Sequence, residues 1–163
     1  IQGQPVPCYG SPRTLEEIRR RFDYIFEATP WGGGKPRLDM IPLDGDLDLF
    51  GLRVQPIEVF HGTMPVLAFR FGPVAYVTDT NRIPDESMEK LRGLEVLVLD
   101  ALRWKPHPTH FDVEQALEVV ERLRPGRTYL THITHDLDHA ATNAVLPAGV
   151  ELAYDGLEIP FRV

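Results

Sequence analysis

Cysteine is nearly absent: Cys8 stands alone among 163 residues. One thiol excludes an intramolecular disulfide and a cysteine-rich zinc knuckle within this chain, and it fits a reducing compartment, so the expected location is cytoplasmic. Long hydrophobic runs are missing too. Nothing approaches the roughly eighteen apolar residues of a membrane span, and no basic-then-apolar signal segment opens the chain. Positive charge is in deficit. Seventeen Lys and Arg against twenty-four Asp and Glu leave a net charge of −7 and a pI near 5.3, which argues against broad, non-specific binding to nucleic acid or membrane. There is no internal repeat, no low-complexity tract, no linker long enough to split the chain and no initiator Met. The opening IQGQPVPCYG reads as a loop running into a short strand, as cleavage or processing would leave it.

What is present is the composition of an ordinary globular domain, 43% hydrophobic and 25% charged, long enough to bury a core. VPCYG is a short strand ended by Gly10. Thr14 with Glu17 makes a capping-box pattern, and Leu15, Ile18, Phe22 and Ile25 or Phe26 recur at helical spacing. TPWGGGKP ends that helix. Then come β-leaning runs, LDMIPL, DLDLFGLRVQPIEVF, VLAFRF and VAYVTD, punctuated by Asp-Gly, Phe-Gly and Gly-Pro turns. From residue 84 the rhythm changes to alternation: PDESMEKLRG helical, EVLVLDAL a buried strand, DVEQALEVVERL an amphipathic helix, TYLTH a strand, and DHAATNAVL a short helix. VELAYDGLEIPF reads as a closing hairpin around Asp155-Gly156. The expected class is α/β, a mixed sheet with helices on one face.

Four apolar runs each end in a ligand-capable residue. His61 follows IEVF, Asp79 follows VAYVT, Asp100 follows VLVL and His132 follows YLT. Sites in α/β folds gather at such strand ends, and imidazoles with a carboxylate suit Zn²⁺, Mn²⁺ or Fe²⁺. Plainer roles compete: Asp79 could cap the helix starting near Ile83 or close an Asx-turn, and Asp100 could bond neighbouring backbone. His107 and His110 sit in the Pro-stiffened loop WKPHPTHF just before a helix, a place suited to general acid work on a phosphate. Asp112 could equally start that helix and leave both histidines in solvent. Gly32 to Lys35, GGGK, lacks the G-x-x-x-x-G-K-[ST] of a phosphate loop and is expected to be a turn. Cys8 is expected to be a small buried hydrophobe, and Arg19 to Arg21 a solvated helix face.

Taken together, VTDTN, LVLDALRWKPHPTHFDVEQAL, YLTHITHD and LPAGVELAYDGLEI resemble the metallo-β-lactamase-fold hydrolases. The branch they look most like is that of the phosphoribosyl cyclic phosphate phosphodiesterases. The resemblance implies a four-layer αββα sandwich with two divalent ions, Zn or Mn, at one edge of its sheets. It implies His61 and His132 as metal ligands and Asp79 as the bridging carboxylate. His110 is implied as the general acid beside the substrate phosphate, and His135 as part of a structural zinc site otherwise built from cysteines. His107 is a candidate substrate contact, and His139 is expected at the surface. The reaction implied is phosphodiester cleavage of a small substrate by a metal-bridging hydroxide.

The family's H-x-H-x-D-H signature, which supplies four ligands, is absent, and the only close histidine pairs are H-x-x-H. Residues 1–163 are therefore expected to be a single, incomplete domain, the C-terminal part of such an enzyme. On its own it is expected to bind metal weakly or not at all, to be inactive, and to need an N-terminal segment carrying the signature or a second copy as a homodimer. The alternatives are a non-catalytic module of the same fold and a tRNA 3′-processing nuclease. The second is disfavoured by the acidic balance.

Overall fold

The computed structural model describes residues 3–27 and 34–161. The turn expected at Gly32 to Lys35 thus lies partly outside the described residues. Two compact units are present, Ile1–Asp46 and Leu47–Val163.

In the first unit, β1 (Val6–Gly10) pairs in parallel with β2 (Leu38–Pro42), with helices α1 (Pro12–Arg21) and α2 (Asp23–Phe26) between them in sequence. The helix begins earlier than the capping-box reading places it. Ser11 is the N-cap, its hydroxyl accepting from the Thr14 N–H at 3.2 Å, and Pro12 occupies the first turn, where a missing N–H costs nothing. Glu17 is left to pair with Arg20 and Arg21 on the solvated face. Leu15 is the buried residue of α1. Cys8 is half-buried on β1, its Sγ 3.7 Å from the Val6 carbonyl.

The second unit is one seven-stranded sheet in sequential order: β3 (Leu47–Leu49), β4 (Leu52–His61), β5 (Met64–Phe71), β6 (Val74–Val77), β7 (Val96–Asp100), β8 (Arg127–Thr131) and β9 (Val150–Leu152). Pairing is antiparallel from β3 to β6 and parallel from β6 to β9. Short turns such as Phe71-Gly72-Pro73 permit the first half. The second half needs crossovers, supplied by α3 (Asp85–Lys90), α4 (Val113–Leu123) and, after β8, α5 (His139–Asn143).

β7, VLVLD, is buried at every position, as a central parallel strand covered on both faces must be. Leu97 and Leu99 join Ile57, Val59, Val77, Leu130 and Leu152 in the main core, against Met88 and Leu91 from the α3 region and Val113, Ala116, Val119 and Leu123 of α4. Each such side chain contributes about 1.5–3 kcal/mol on leaving water. The opposite face carries a smaller cluster of Val74, Val96, Val98 and Tyr129, with Ala153, Leu157 and Ile159 packed on it.

The closing hairpin is not formed. The turn is there, with Gly156 at φ 87 and the Leu157 N–H donating to the Tyr154 carbonyl. The residues beyond it add no strand, and Leu157 and Ile159 instead cover the smaller apolar cluster. Among the described residues no helix is long and apolar enough to cross a membrane.

Candidate metal and phosphate site

Because β4 runs antiparallel to β5 and β5 to β6, β4 points the same way as β6, β7 and β8. The C-terminal ends of those four strands therefore share one edge of the sheet. That edge receives His61 at the end of β4, Asp79 just past β6, Asp100 at the end of β7 and His132 just past β8. His132 has φ 57, a left-handed conformation uncommon outside glycine, just past the end of β8 where the chain enters the site.

His110 comes from the loop before α4 and sits at the centre. Its ring lies 4.6 Å from that of His61, 4.6 Å from that of His132 and 5.1 Å from that of His107, centroid to centroid. Its Nε2 is 3.1 Å from His61 Nε2, and its Nδ1 is 3.2 Å from Asp100 Oδ2. Asp79, His110 and His132 each offer a ligand atom within 4.8 Å of the others. His132 Nε2 lies 3.8 Å from Asp79 Oδ2. One carboxylate oxygen and two imidazole nitrogens at this separation fit a first-row divalent ion. His61 reaches this group through its contact with His110. While that bond holds, neither Nε2 can also hold an ion, so ligation through the Nε2 of either ring requires the bond to open.

Asp100 is fully buried. Burial pushes its carboxyl up to about 8, the charge of Asp79 adds to this, and the Thr80 backbone N–H opposes it. Burial also holds His110 below the ordinary imidazole range, with His132 and His61 adding and Asp79 opposing. Both shifts favour the uncharged forms of the two groups. With Asp100 protonated, its hydroxyl donates to His110 Nδ1 and His110 Nε2–H is a donor. With Asp100 ionised, His110 Nδ1–H donates to it and the Nε2 lone pair is free.

A backbone frame holds these loops. The Phe111 N–H donates to the Thr80 carbonyl, Ala101 N–H to Thr131 and Thr134 N–H to Leu102. Asn81 ties two of them together. Its Oδ1 accepts from the Gly62 N–H at 2.8 Å and its Nδ2 donates to the Pro108 carbonyl at 3.0 Å. Gly62 has φ 64, and a Cβ there would meet Thr109 Cγ2 at 3.1 Å. A side chain there would be strained at this φ and would press on Thr109, so glycine suits the close approach of the end of β4 to the histidine loop.

The competing plain roles divide. Asp112 does start α4, in a reciprocal cap with Gln115, yet His110 beside it is buried. Asp79 caps no helix, since α3 begins at Asp85 with Pro84 before it; one of its oxygens accepts from the Thr78 hydroxyl. Asp100 bonds backbone, as expected, through Thr80 N–H, but its bond to His110 went unanticipated. Asn81 was missed altogether. Its signal, an amide next to a strand-end aspartate in VTDTN, is too common to stand out. His107 is half-buried, its Nδ1 near Thr109. His135 lies away from the group, its side chain 97% exposed. His139 is on the surface side of α5, with both ring nitrogens engaged by Leu152 and Asn143.

A mixed sheet with histidines and carboxylates at the ends of its strands is the arrangement of the metallo-β-lactamase fold. Residues 1–133 match the family described as the beta-lactamase superfamily domain, and the chain belongs to that superfamily. It is similar to a crystallised diphosphatase of the PhnP family, with 42% identity and a TM-score of 0.89 over 99% of this chain and 60% of that one. It shares the fold of Zn²⁺-bound PqqB from Methylobacterium extorquens, at 17% identity and TM-score 0.71, over 98% of this chain and 66% of that one. A protein of Porphyromonas gingivalis named octanoyltransferase is 31% identical over 94% of this chain. The match spans only 32% of that protein's length, so the name describes a polypeptide about three times longer than the matched part.

Proposed function

We propose that these residues form part of a metal-dependent phosphodiesterase acting on a small phosphodiester or diphosphate. The observation that carries this reading is the meeting of His61, Asp79, His110 and His132 at one sheet edge, with buried Asp100 behind His110. The likeness to a PhnP-family diphosphatase supports it, and the net charge of −7 favours a small substrate over a tRNA.

Asp79 and His132, with His61 once its bond to His110 opens, would hold divalent ions of the Zn or Mn kind. An ion held there supplies Lewis-acid stabilisation of charge building on a phosphoryl oxygen. His110, held in place through Nδ1 by Asp100, would present Nε2 to the substrate once its contact with His61 opens. In its N–H form it donates to the leaving or a non-bridging oxygen. His107, beside it, would contact the same phosphate.

The three proposed ligands, His61, Asp79 and His132, are too few for two ions, which need a fuller shell fixed by outer partners. These 163 residues alone are therefore proposed to hold two ions poorly and to hydrolyse slowly, with further ligands supplied from outside them. The test is hydrolysis of bis(p-nitrophenyl) phosphate by the full-length protein, before and after chelation and after return of Zn²⁺ or Mn²⁺. Activity that is lost on chelation and restored by metal supports the reading. Activity indifferent to chelation refutes it.

A further inference from the structure

An open cavity of about 480 Å³ adjoins the candidate site, its lining including His132, Ile133, His139, Ala153, Tyr154 and Asp155. Its volume lies in the range of small-molecule sites. His132 is the shared wall, belonging both to this cavity and to the group that includes Asp79 and His110.

The chemistry of the walls restricts what fits. The Asn143 side chain is oriented by its Oδ1, which accepts from the Leu152 N–H at 2.7 Å. Its Nδ2 must then face His139 Nδ1, 3.2 Å away, as a donor. His139 Nδ1 is an acceptor, so its Nε2–H donates to the Leu152 carbonyl at 3.2 Å. Both nitrogens of His139 are spent on the fold, and what it offers the cavity is a fixed ring. Tyr154 stands edge-on to it, centroids 6.2 Å apart at 81°, with 57% of its surface exposed. A second aromatic surface is thus open to a ligand. Asp155 offers carboxylate oxygens as acceptors. Among the described residues that line the cavity there is no lysine or arginine, so it is ill-suited to a phosphate.

We propose that this cavity binds the uncharged, ring-bearing part of the substrate, a nucleoside-like group whose planar ring packs on Tyr154 and His139 and whose hydroxyls donate to Asp155. The inference rests on the phosphodiesterase reading for the phosphate's place beside His110 and His132. It adds which side of the phosphate the enzyme recognises.

The test compares two esters that release the same nitrophenolate, thymidine 5′-(p-nitrophenyl phosphate) and methyl p-nitrophenyl phosphate, with the full-length, metal-loaded protein. Wild type is expected to prefer the thymidine ester in kcat/KM. Tyr154→Ala is expected to cut that preference about tenfold, through KM, as loss of one base–aromatic contact does, while Tyr154→Phe keeps it. Asp155→Asn is expected to cut it less. Absence of a preference in wild type, or an equal loss on both esters, overturns the inference and leaves the hydrolase reading intact. Titration calorimetry with thymidine separates the two. If neither ester is hydrolysed but thymidine binds and Tyr154→Ala abolishes binding, the cavity stands and the hydrolase reading falls. If thymidine does not bind, the cavity assignment falls.

Discussion

The chain contains two H-x-x-H pairs, His107/His110 and His132/His135, and the fold treats their members differently. His110 and His132 converge, with rings 4.6 Å apart. His107 stays half-buried at the edge of the cluster, and the His135 side chain is 97% exposed, with Asp136 3.8 Å away. Equal spacing in sequence has produced unequal chemistry. What distinguishes the inward member is its anchor: His110 is held by Asp100 from behind, and His132 follows a buried strand through a left-handed turn. Three residues further on, His135 has left that strand and points to solvent.

The largest effects should fall on the inward members. In the full-length protein, Asp79→Ala or His132→Ala is expected to reduce metal-dependent hydrolysis by roughly a thousandfold, more than the 10–100-fold typical of outer partners of a metal site, with a matching loss of bound metal by elemental analysis. Retained activity and metal would dissolve the contrast.

Next comes the frame that aims His110. Asn81→Ala removes one bond to Gly62 N–H and one to the Pro108 carbonyl, and is expected to cost about 2 kcal/mol in urea unfolding. Activity should fall through kcat, because the histidine loop loses its register against the end of β4. Unchanged stability would show that the loop is held some other way.

The Asp100–His110 pair sharpens the contrast through pH. In metal-free protein, Asp100 carries its proton up to about 8 when folded, but only to the ordinary carboxylate range, near 3.8, when unfolded. Between those values unfolding releases a proton, so stability from this group is full below about pH 4 and declines as pH rises through about 8. Asp100→Asn keeps an acceptor for Thr80 N–H and a donor for His110 Nδ1 without that proton. It should flatten the decline, matching wild type near pH 5 and exceeding it near pH 9 in thermal melts. A decline equally steep in the variant would assign the effect to another group.

The smallest effect is expected at the outward member. His135→Ala should leave kcat/KM within about twofold, since no contact of that ring reaches the cluster. A tenfold loss would mean that both members of the pair serve the active site.

Much of the fold was legible. The apolar run EVLVLDAL predicted a buried strand, and DVEQALEVVERL predicted an amphipathic helix, because both signals are local. The start of α1 was misread, since Ser11-Pro12 outcompetes the equally plausible Thr14 and Glu17 pattern. The final hairpin was misread because a turn at Asp155-Gly156 does not by itself supply a pairing partner. There, burial of Leu157 and Ile159 on the smaller cluster decides the path. At the site, the strand-end residues His61, Asp79 and His132 stood out by position. Asn81, the Asp100–His110 bond and the His139–Tyr154 wall were invisible, because each depends on partners far away in the chain or on the orientation of an amide.

By itself, the sequence determined the elements and which residues stand at their ends, since hydrophobic period, caps and turns act over a few residues. Tertiary structure alone decided that His61 and His110, 49 positions apart, share a hydrogen bond. It also decided that Asp100 is buried against His110, and that of two identically spaced histidine pairs one member of each turns inward. Those outcomes follow from the order and direction of strands in the sheet, which places distant strand ends side by side.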